Sequence, residues 1–186
     1  MSRILMVLTA LILMGCATGT PITDFTKRSV YYTWIDVSDI PGNNLQWFQA
    51  RNLSDPENER YYGMGFEKVG DGYLIWHNGV TPGRYEFSKM ALMSCLGILC
   101  TNTINEFDFG QPGTAPGKTS IGNPGVYFGG CHAFKQTKRG FFRPGEFDTR
   151  RTKCKVSKNK MLSIMLKHAP KDHPIVAQRI SRAMGG

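Results

Sequence analysis

The sequence predicts a mainly β protein, in which an antiparallel β-sandwich-like domain is followed by a short C-terminal helical pair. Three observations predict this fold class. Runs rich in β-branched and aromatic residues occupy the middle of the chain, Pro-Gly pairs precede two of them, and the apolar spacing becomes helical after Cys154. With 186 residues, 41% of them hydrophobic and 20% charged, the chain is long enough for one domain with a core.

The predicted strands are separated by turn signals. Val30 to Val37 has the composition of a strand, and residues 40–43 form a turn before a second strand at Leu45 to Ala50. Tyr73 to His77 predicts a third strand. The Asn78-Gly79 pair suits a tight turn, so we expect it to end that strand.

Two segments share the pattern Pro-Gly-x-Tyr. Pro82-Gly83-Arg84-Tyr85 and Pro124-Gly125-Val126-Tyr127 each predict a type II turn that launches a strand. Charged and apolar residues alternate from Arg84 to Phe87, so Glu86 is expected on a wet face of an antiparallel sheet. This pattern resembles the prealbumin-like sandwiches, the fold of transthyretin and of carboxypeptidase regulatory domains.

The segment from Met90 to Cys100 is apolar except for Ser94. A continuous apolar run is usually a buried strand or a short buried helix. The alternative is an exposed, disulfide-stapled apolar loop that enters lipid or docks a partner. Exposure of the side chains at residues 96–99 would distinguish the two.

The C-terminal residues predict two helices. Ser157 is expected to cap the first, which ends near Pro170, and Pro174 lies in the first turn of the second. Their apolar stripes are expected to pack on the sheet; contact with a membrane is the alternative. The basic residues expected to face water are Lys158, Lys160, Lys167, Lys171, Arg179 and Arg182.

The N-terminal residues carry an export signal. Arg3 precedes an apolar run from Ile4 to Met14, which is shorter than the ~20 residues that span a bilayer. The run ends in Leu13-Met14-Gly15-Cys16, which resembles the lipobox of bacterial lipoproteins. The resemblance implies cleavage before Cys16 and acylation of that cysteine, including palmitate. Since Ala17 rather than Asp follows, it implies the periplasmic face of a Gram-negative outer membrane.

The alternative is an ordinary signal-peptide site. Gly15 and Ala17 have the small-x-small spacing of such a site, and cleavage there would release a soluble protein.

These signals divide the chain into four parts. We predict a lipoprotein signal peptide at 1–15, a lipidated tether at 16–29, the β-sandwich-like domain at 30–156 and basic helices at 157–186. The thirteen residues from Ala17 to Ser29 reach at most ~45 Å. The body also resembles a group of bacterial lipoproteins without assigned function. That resemblance rests on Asp71-Gly72-Tyr73, Pro82-Gly83-Arg84-Tyr85, Pro124-Gly125-Val126-Tyr127 and Gly140-Phe141-Phe142-Arg143-Pro144-Gly145-Glu146-Phe147.

Cysteine usage agrees with export. Without Cys16, four of the five cysteines remain, and an even number in an oxidising compartment predicts two disulfides. The four are Cys95, Cys100, Cys131 and Cys154.

Spacing leaves three pairings open. We favour Cys95 with Cys100, because Gly97 permits a turn between them, and Cys131 with Cys154. A metal site at Cys131, Cys154 and the adjacent histidine is the alternative, although it lacks the paired spacing of structural zinc ligands.

Charge is concentrated at the C-terminal end. Residues 16–134 carry eight Lys and Arg against eleven Asp and Glu, whereas residues 135–186 carry fourteen against three. Export argues against nucleic acid as a partner, which leaves anionic lipid headgroups or glycans, at about 1 kcal/mol per basic residue near such a surface. A solvated helical face is the alternative.

Three functions follow from these features. A non-catalytic envelope module would dock a protein partner on an exposed apolar patch around residues 96–99. A peptidoglycan or glycan binder would line a groove with Trp34, Trp47 or Trp76. An envelope hydrolase would bring acidic residues and a histidine into one cleft, but no catalytic, metal or cofactor motif is present in the sequence. The candidates for that cleft are Asp36, Asp39, Glu106, Asp108 and His132.

Overall fold

A computed structural model describes residues 24–40, 43–55, 61–96, 99–138 and 146–185. These residues form ten strands in two sheets, followed by two helices. The predicted fold class, a mainly β sandwich-like domain with a C-terminal helical pair, is confirmed. The predicted signal peptide, Cys16 and the tether up to residue 23 lie outside the described residues. In the described part of the chain, no helix is long and apolar enough to cross a membrane.

The first sheet contains five strands. They are β1 (Ser29–Asp36), β4 (Gly65–Val69), β5 (Gly72–Val80), β9 (Val126–Lys138) and β10 (Glu146–Thr152). Their order is β10-β9-β1-β5-β4. β1 pairs antiparallel with β5 but parallel with β9, so this sheet is mixed rather than antiparallel throughout as predicted. Parallel neighbours need a crossover connection, which the excursion of the chain through the second sheet provides.

The second sheet is built around one long strand. Its members are β2 (Asn43–Asn52), β3 (Tyr61–Gly63), β6 (Gly83–Leu96), β7 (Leu99–Asp108) and β8 (Thr119–Ile121). The order is β3-β2-β6-β7, and β8 also pairs with β6. Because β2 occupies one edge of β6, β7 and β8 share the other edge. Residues 109–118 connect these two strands, and we call them the cover loop.

The main core lies between the two sheets. Side chains alternate along a strand, so Tyr31 and Ile35 of β1 point into this core. Phe48 of β2 and Phe87 of β6 meet them from the second sheet. Burial of each such side chain stabilises the fold by about 1.5–3 kcal/mol.

A second core covers the outer face of the first sheet. Trp34 of β1 and Trp76 of β5 point outward and are buried under two helices, α1 (Lys158–Lys167) and α2 (Pro174–Gly185). The predicted cap is confirmed, since the Ser157 side chain accepts a hydrogen bond from the Lys160 N–H at 3.3 Å. The prediction that the apolar stripes pack on the sheet is also confirmed. The buried helix residues are Met161, Leu162, Ile164, Met165, Val176 and Ile180.

The Cys131–Cys154 disulfide is confirmed. It connects β9 to the segment between β10 and α1, across 23 residues of sequence. Because the two sulfurs are bonded to each other, the alternative metal site at these cysteines is wrong.

Two turn predictions are wrong. β5 continues through Asn78-Gly79 to Val80, and a register shift against β1 absorbs the pair as a bulge. At Pro124-Gly125 the glycine is not among those with positive φ, which a type II turn requires. β6 begins at Gly83 itself and β9 directly after Gly125, so each Pro-Gly pair still leads into a strand, as predicted.

The β6–β7 hairpin holds the other two cysteines. Its register places Cys95 opposite Cys100, with only residues 97–98 between the strands. The side chains of residues 94–103 and the turn at 97–98 lie outside the described residues, so the second disulfide and the exposure of this tip stay predictions. In the first part of the apolar run, Met90, Ala91 and Leu92 are buried within a strand, as one alternative predicted.

Candidate functional site

The sandwich has an open side between an edge strand of each sheet, β7 and β10. A cleft of about 470 Å³ lies there, closed at one end by the cover loop. We call it the acidic cleft, because Glu106, Asp108 and Asp148 line it together with an aromatic floor. Its position at two edge strands leaves backbone groups near a bound ligand.

Four phenylalanines from both sheets form the floor of the acidic cleft. Phe134 of β9 and Phe147 of β10 stack with ring centroids 4.9 Å apart. Phe107 of β7 meets them edge-on at 5.3 and 4.8 Å, and Phe109 lies 6.0 Å from Phe134. Phe107, Phe109 and Phe147 are only partly buried, so ring surface remains open to a ligand.

The rim of the acidic cleft carries three carboxylates. Glu106 and Asp108 alternate with the floor phenylalanines along β7 and are exposed. Asp148 stands on β10, where a hydrogen bond from Arg150 Nε at 2.6 Å lowers the pKa of its carboxyl. Asp108 also accepts a hydrogen bond from the Gly110 N–H at 2.9 Å. Asp148 is thus already paired with Arg150, and Glu106 and Asp108 are the rim carboxylates that favour a cationic or hydrogen-bond-donating ligand.

The cover loop is attached to β6 at both ends. The Phe109 N–H donates to Ser88 O at 3.0 Å, and the Phe87 N–H donates to Pro116 O at 2.9 Å. Gly117, with φ +76°, lies against the Phe87 ring, where a Cβ would stand 2.3 Å from a ring carbon. Only glycine suits this position, since both the dihedral angle and the space exclude a side chain.

A buried ion pair holds the middle of the cover loop. Arg51 Nε donates to Glu86 Oε1 at 2.7 Å, and the two side chains are 6% and 0% exposed. The Gly113 N–H also donates to this oxygen at 3.0 Å, while Arg51 Nη2 donates to Gly110 O. The prediction of a wet face at Glu86 is wrong, because the cover loop lies over it.

A second cleft, of about 330 Å³, lies on the other side of Pro116. We call it the basic cleft, because Lys118 and Arg151 line it. His132 forms part of its wall and is 5% exposed. Burial lowers the pKa of His132, against the opposing effect of its hydrogen bond to Gly129 O, so the ring is neutral at neutral pH.

A smaller cleft of about 160 Å³ contains Asp36 and Asp39. Lys155 Nζ lies 2.7 Å from the Asp36 carboxylate and 3.7 Å from that of Asp71. Burial alone would raise the pKa of Asp36, but hydrogen bonds from Lys155 and Ser38 outweigh it and lower the pKa.

The five residues considered for a hydrolase do not converge. Glu106 and Asp108 line the acidic cleft, His132 the basic cleft, and Asp36 and Asp39 the third. Among the described residues, no group of three or more His, Cys, Asp or Glu could hold a metal ion.

The tryptophans considered for a glycan groove do not form one. Trp34 and Trp76 are buried beneath the helices, and Trp47 is partly buried on β2 of the other sheet.

Sequence reasoning missed the aromatic floor. The signal was present as Glu106-Phe107-Asp108-Phe109, whose strict alternation predicts a strand with one apolar side. Its partners Phe134 and Phe147 come from β9 and β10, and no local pattern relates them to β7.

The start of the described chain is fastened to the helices. Phe25 is buried against them. Arg179 of α2 donates hydrogen bonds to the carbonyl oxygens of Phe25, Thr26 and Arg28 at 2.6–2.8 Å. Arg179 was expected to face water, and this contact with the N-terminal segment corrects that expectation.

Comparisons of the chain with protein-family models, with curated proteins and with solved structures find no significant match.

Proposed function

We propose that this protein is a lipid-anchored envelope module that docks a partner polypeptide in its acidic cleft. The lipobox-like sequence at Cys16 supports the anchor. The aromatic floor with its acidic rim, set between two edge strands, is the observation that supports docking.

The chemistry of the cleft selects an extended segment with apolar and basic side chains. An apolar side chain of the partner that covers the partly exposed phenyl rings removes apolar surface from water, which favours binding. Carboxylates on the rim attract Lys or Arg of the partner and disfavour acidic segments. The edges of β7 and β10 offer backbone groups to an added strand.

The anchor limits where the partner can be. Asp24, the first described residue, follows Cys16 by eight residues, which span at most about 28 Å. A domain on such a short segment stays near its membrane, by this proposal the periplasmic face of the outer membrane. Its partner would then be another envelope protein.

Anchoring is tested by palmitate labelling of the full-length protein and of Cys16→Ser. We expect label and membrane association in the first and loss of both in the second. Label that persists in Cys16→Ser, or none in either protein, would contradict the anchor.

Docking is tested with three synthetic peptides and the lipidated protein in detergent. A peptide of alternating Lys and Phe should bind, whereas peptides of alternating Glu and Phe or Lys and Ser should bind at least about tenfold more weakly. Equal affinity for the Lys-Ser peptide would show that charge alone is recognised and would contradict docking on the aromatic floor.

The matched variants are Glu106→Lys on the rim and Asp172→Lys between the helices. Both carboxylates are exposed, and each substitution changes net charge by the same amount. We expect only Glu106→Lys to weaken binding of the Lys-Phe peptide. An equal loss of affinity in both variants would indicate that the peptide binds outside the acidic cleft.

A further inference from the structure

Two cationic side chains line the basic cleft. Arg151 projects from β10 and lies opposite His132 in the register of β9 and β10. Lys118 reaches the cleft from the end of the cover loop. In the part of the chain that the structure describes, neither side chain has a hydrogen bond or an ion pair, and no acidic side chain lines the cleft.

Three other arginines in the described part of the chain bind protein acceptors. Arg51 binds Glu86, Arg150 binds Asp148, and Arg179 binds three carbonyl oxygens. Arg151 is the next residue to Arg150 on the same strand, yet among the described residues its side chain has no hydrogen-bond acceptor. Its guanidinium is therefore left with its donors for a ligand.

Gly130 leaves space between two of the side chains that line the cleft. At Gly130, with φ +96°, a Cβ would lie 3.3 Å from Arg151 Nε and 3.4 Å from His132 Nε2. A side chain there would fill the space where the guanidinium and the imidazole meet. The neighbouring Gly129 lines the cleft, and its carbonyl oxygen accepts the His132 Nε2–H hydrogen bond at 3.0 Å.

We propose that the basic cleft binds a phosphate group between the Arg151 guanidinium and the Lys118 ammonium. Guanidinium donors match two oxygens of a phosphate, and the lysine adds a compact positive charge. The two fixed positive charges balance a phosphate that is close to a dianion at neutral pH. A neutral His132 forms the wall and adds no charge to the site.

The phosphate could be free or part of a larger molecule, such as a lipid or glycan headgroup. A cleft of about 330 Å³ has room for a substituent beside the phosphate. Inorganic phosphate and glycerol 3-phosphate distinguish these sources, because only the second presents an ester. The site is separate from the acidic cleft and does not depend on docking there.

The test is titration of both compounds into the full-length lipidated protein in detergent, followed by calorimetry and by NMR of the Arg151 side chain. We expect saturable binding below about 10 mM, with tighter binding of glycerol 3-phosphate if the natural ligand is an ester and equal binding if it is free phosphate. Absence of saturable binding of either compound would overturn the proposal.

Variants of exposed residues locate the site without disturbing the fold. Arg151→Gln should weaken binding about tenfold and Lys118→Gln severalfold, since each removes a charged donor. Arg150→Gln is the matched control, because it removes the same charge one residue away on the opposite face of β10. A loss in Arg150→Gln equal to that in Arg151→Gln would mean that net charge, rather than the cleft, attracts the phosphate, and would overturn the proposal.

Discussion

Two coverings close the β-sandwich, and they are built from different interactions. The helices cover the first sheet with apolar side chains around Trp34 and Trp76. The cover loop closes the side near β6 with backbone hydrogen bonds and the buried Arg51–Glu86 pair. The acidic cleft and the basic cleft flank the loop.

The difference indicates which parts of the molecule determine its stability and which determine the shape of the two clefts. Each apolar contact adds to the stability of the fold, so the helical layer packs closely against the first sheet and fills the space over it. A loop fixed at a few polar points can leave room on either side. We therefore expect changes in the helical layer to alter stability alone, and changes in the fixing points of the loop to alter both clefts.

The largest expected effect comes from Glu86→Ala. It would leave the Arg51 guanidinium buried without its carboxylate and would cost about 3–5 kcal/mol in the free energy of unfolding. It would also release Gly113 of the cover loop, so both clefts should lose ligand affinity. Urea unfolding and titration of the two ligands measure these effects.

A double variant separates the effect of the buried charges from the effect of fixing the cover loop. Arg51→Met with Glu86→Leu removes both charges and should recover much of the stability. It should not recover ligand affinity, because the contacts to Gly110 and Gly113 stay absent. Full recovery of affinity would show that the ion pair does not position the cover loop.

Removal of the Cys131–Cys154 disulfide tests the role of the helical layer. Replacement of both Cys131 and Cys154 by Ser should cost about 3 kcal/mol in the chain-entropy model for a loop of this size. Affinity at the acidic cleft should stay unchanged at temperatures where the variant is folded. Loss of peptide binding at temperatures where the variant is still folded would contradict the expectation that the helical layer affects stability alone.

Arg179→Gln is expected to have a smaller effect. It removes three partly exposed hydrogen bonds to the N-terminal segment and should cost about 1–2 kcal/mol. Faster amide hydrogen exchange at residues 25–28 would report the loss locally. Arg182→Gln, on the exposed side of the same helix, is the control and should leave that exchange unchanged.

The smallest effect concerns Asp36 and its pH dependence. Its pKa is lowered in the folded protein, so its contribution is present above the unfolded value of about 3.9 and is lost as pH falls through the folded pKa. Asp36→Asn should therefore be less stable than the unmodified protein at neutral pH, with the difference shrinking below about pH 4. A difference that stays constant with pH would exclude the Lys155 contact as its source.

Sequence patterns predicted the elements that depend on local interactions. Ser157, Pro174 and the apolar spacing gave both helices, and the composition of β1 gave that strand. The burial of Glu86 was missed because the alternation along β6 cannot show that Gly113, twenty-seven residues later, returns in a loop to cover it.

The clefts were missed for a related reason. Arg151 lies opposite His132, and Phe147 meets Phe107, through strand pairings between distant segments. The parallel pairing of β1 with β9 is likewise a property of the whole topology.

The central position of β1 has a mechanical consequence. The N-terminal segment leads directly into this strand, which hydrogen-bonds to β5 on one side and β9 on the other. A pull on that segment would first load the Arg179 contacts and then shear two ladders at once, rather than peel an edge strand one bond at a time. Because β1 is paired on both sides, it resists extraction better than an edge strand would, which would suit the lipid anchor proposed at Cys16.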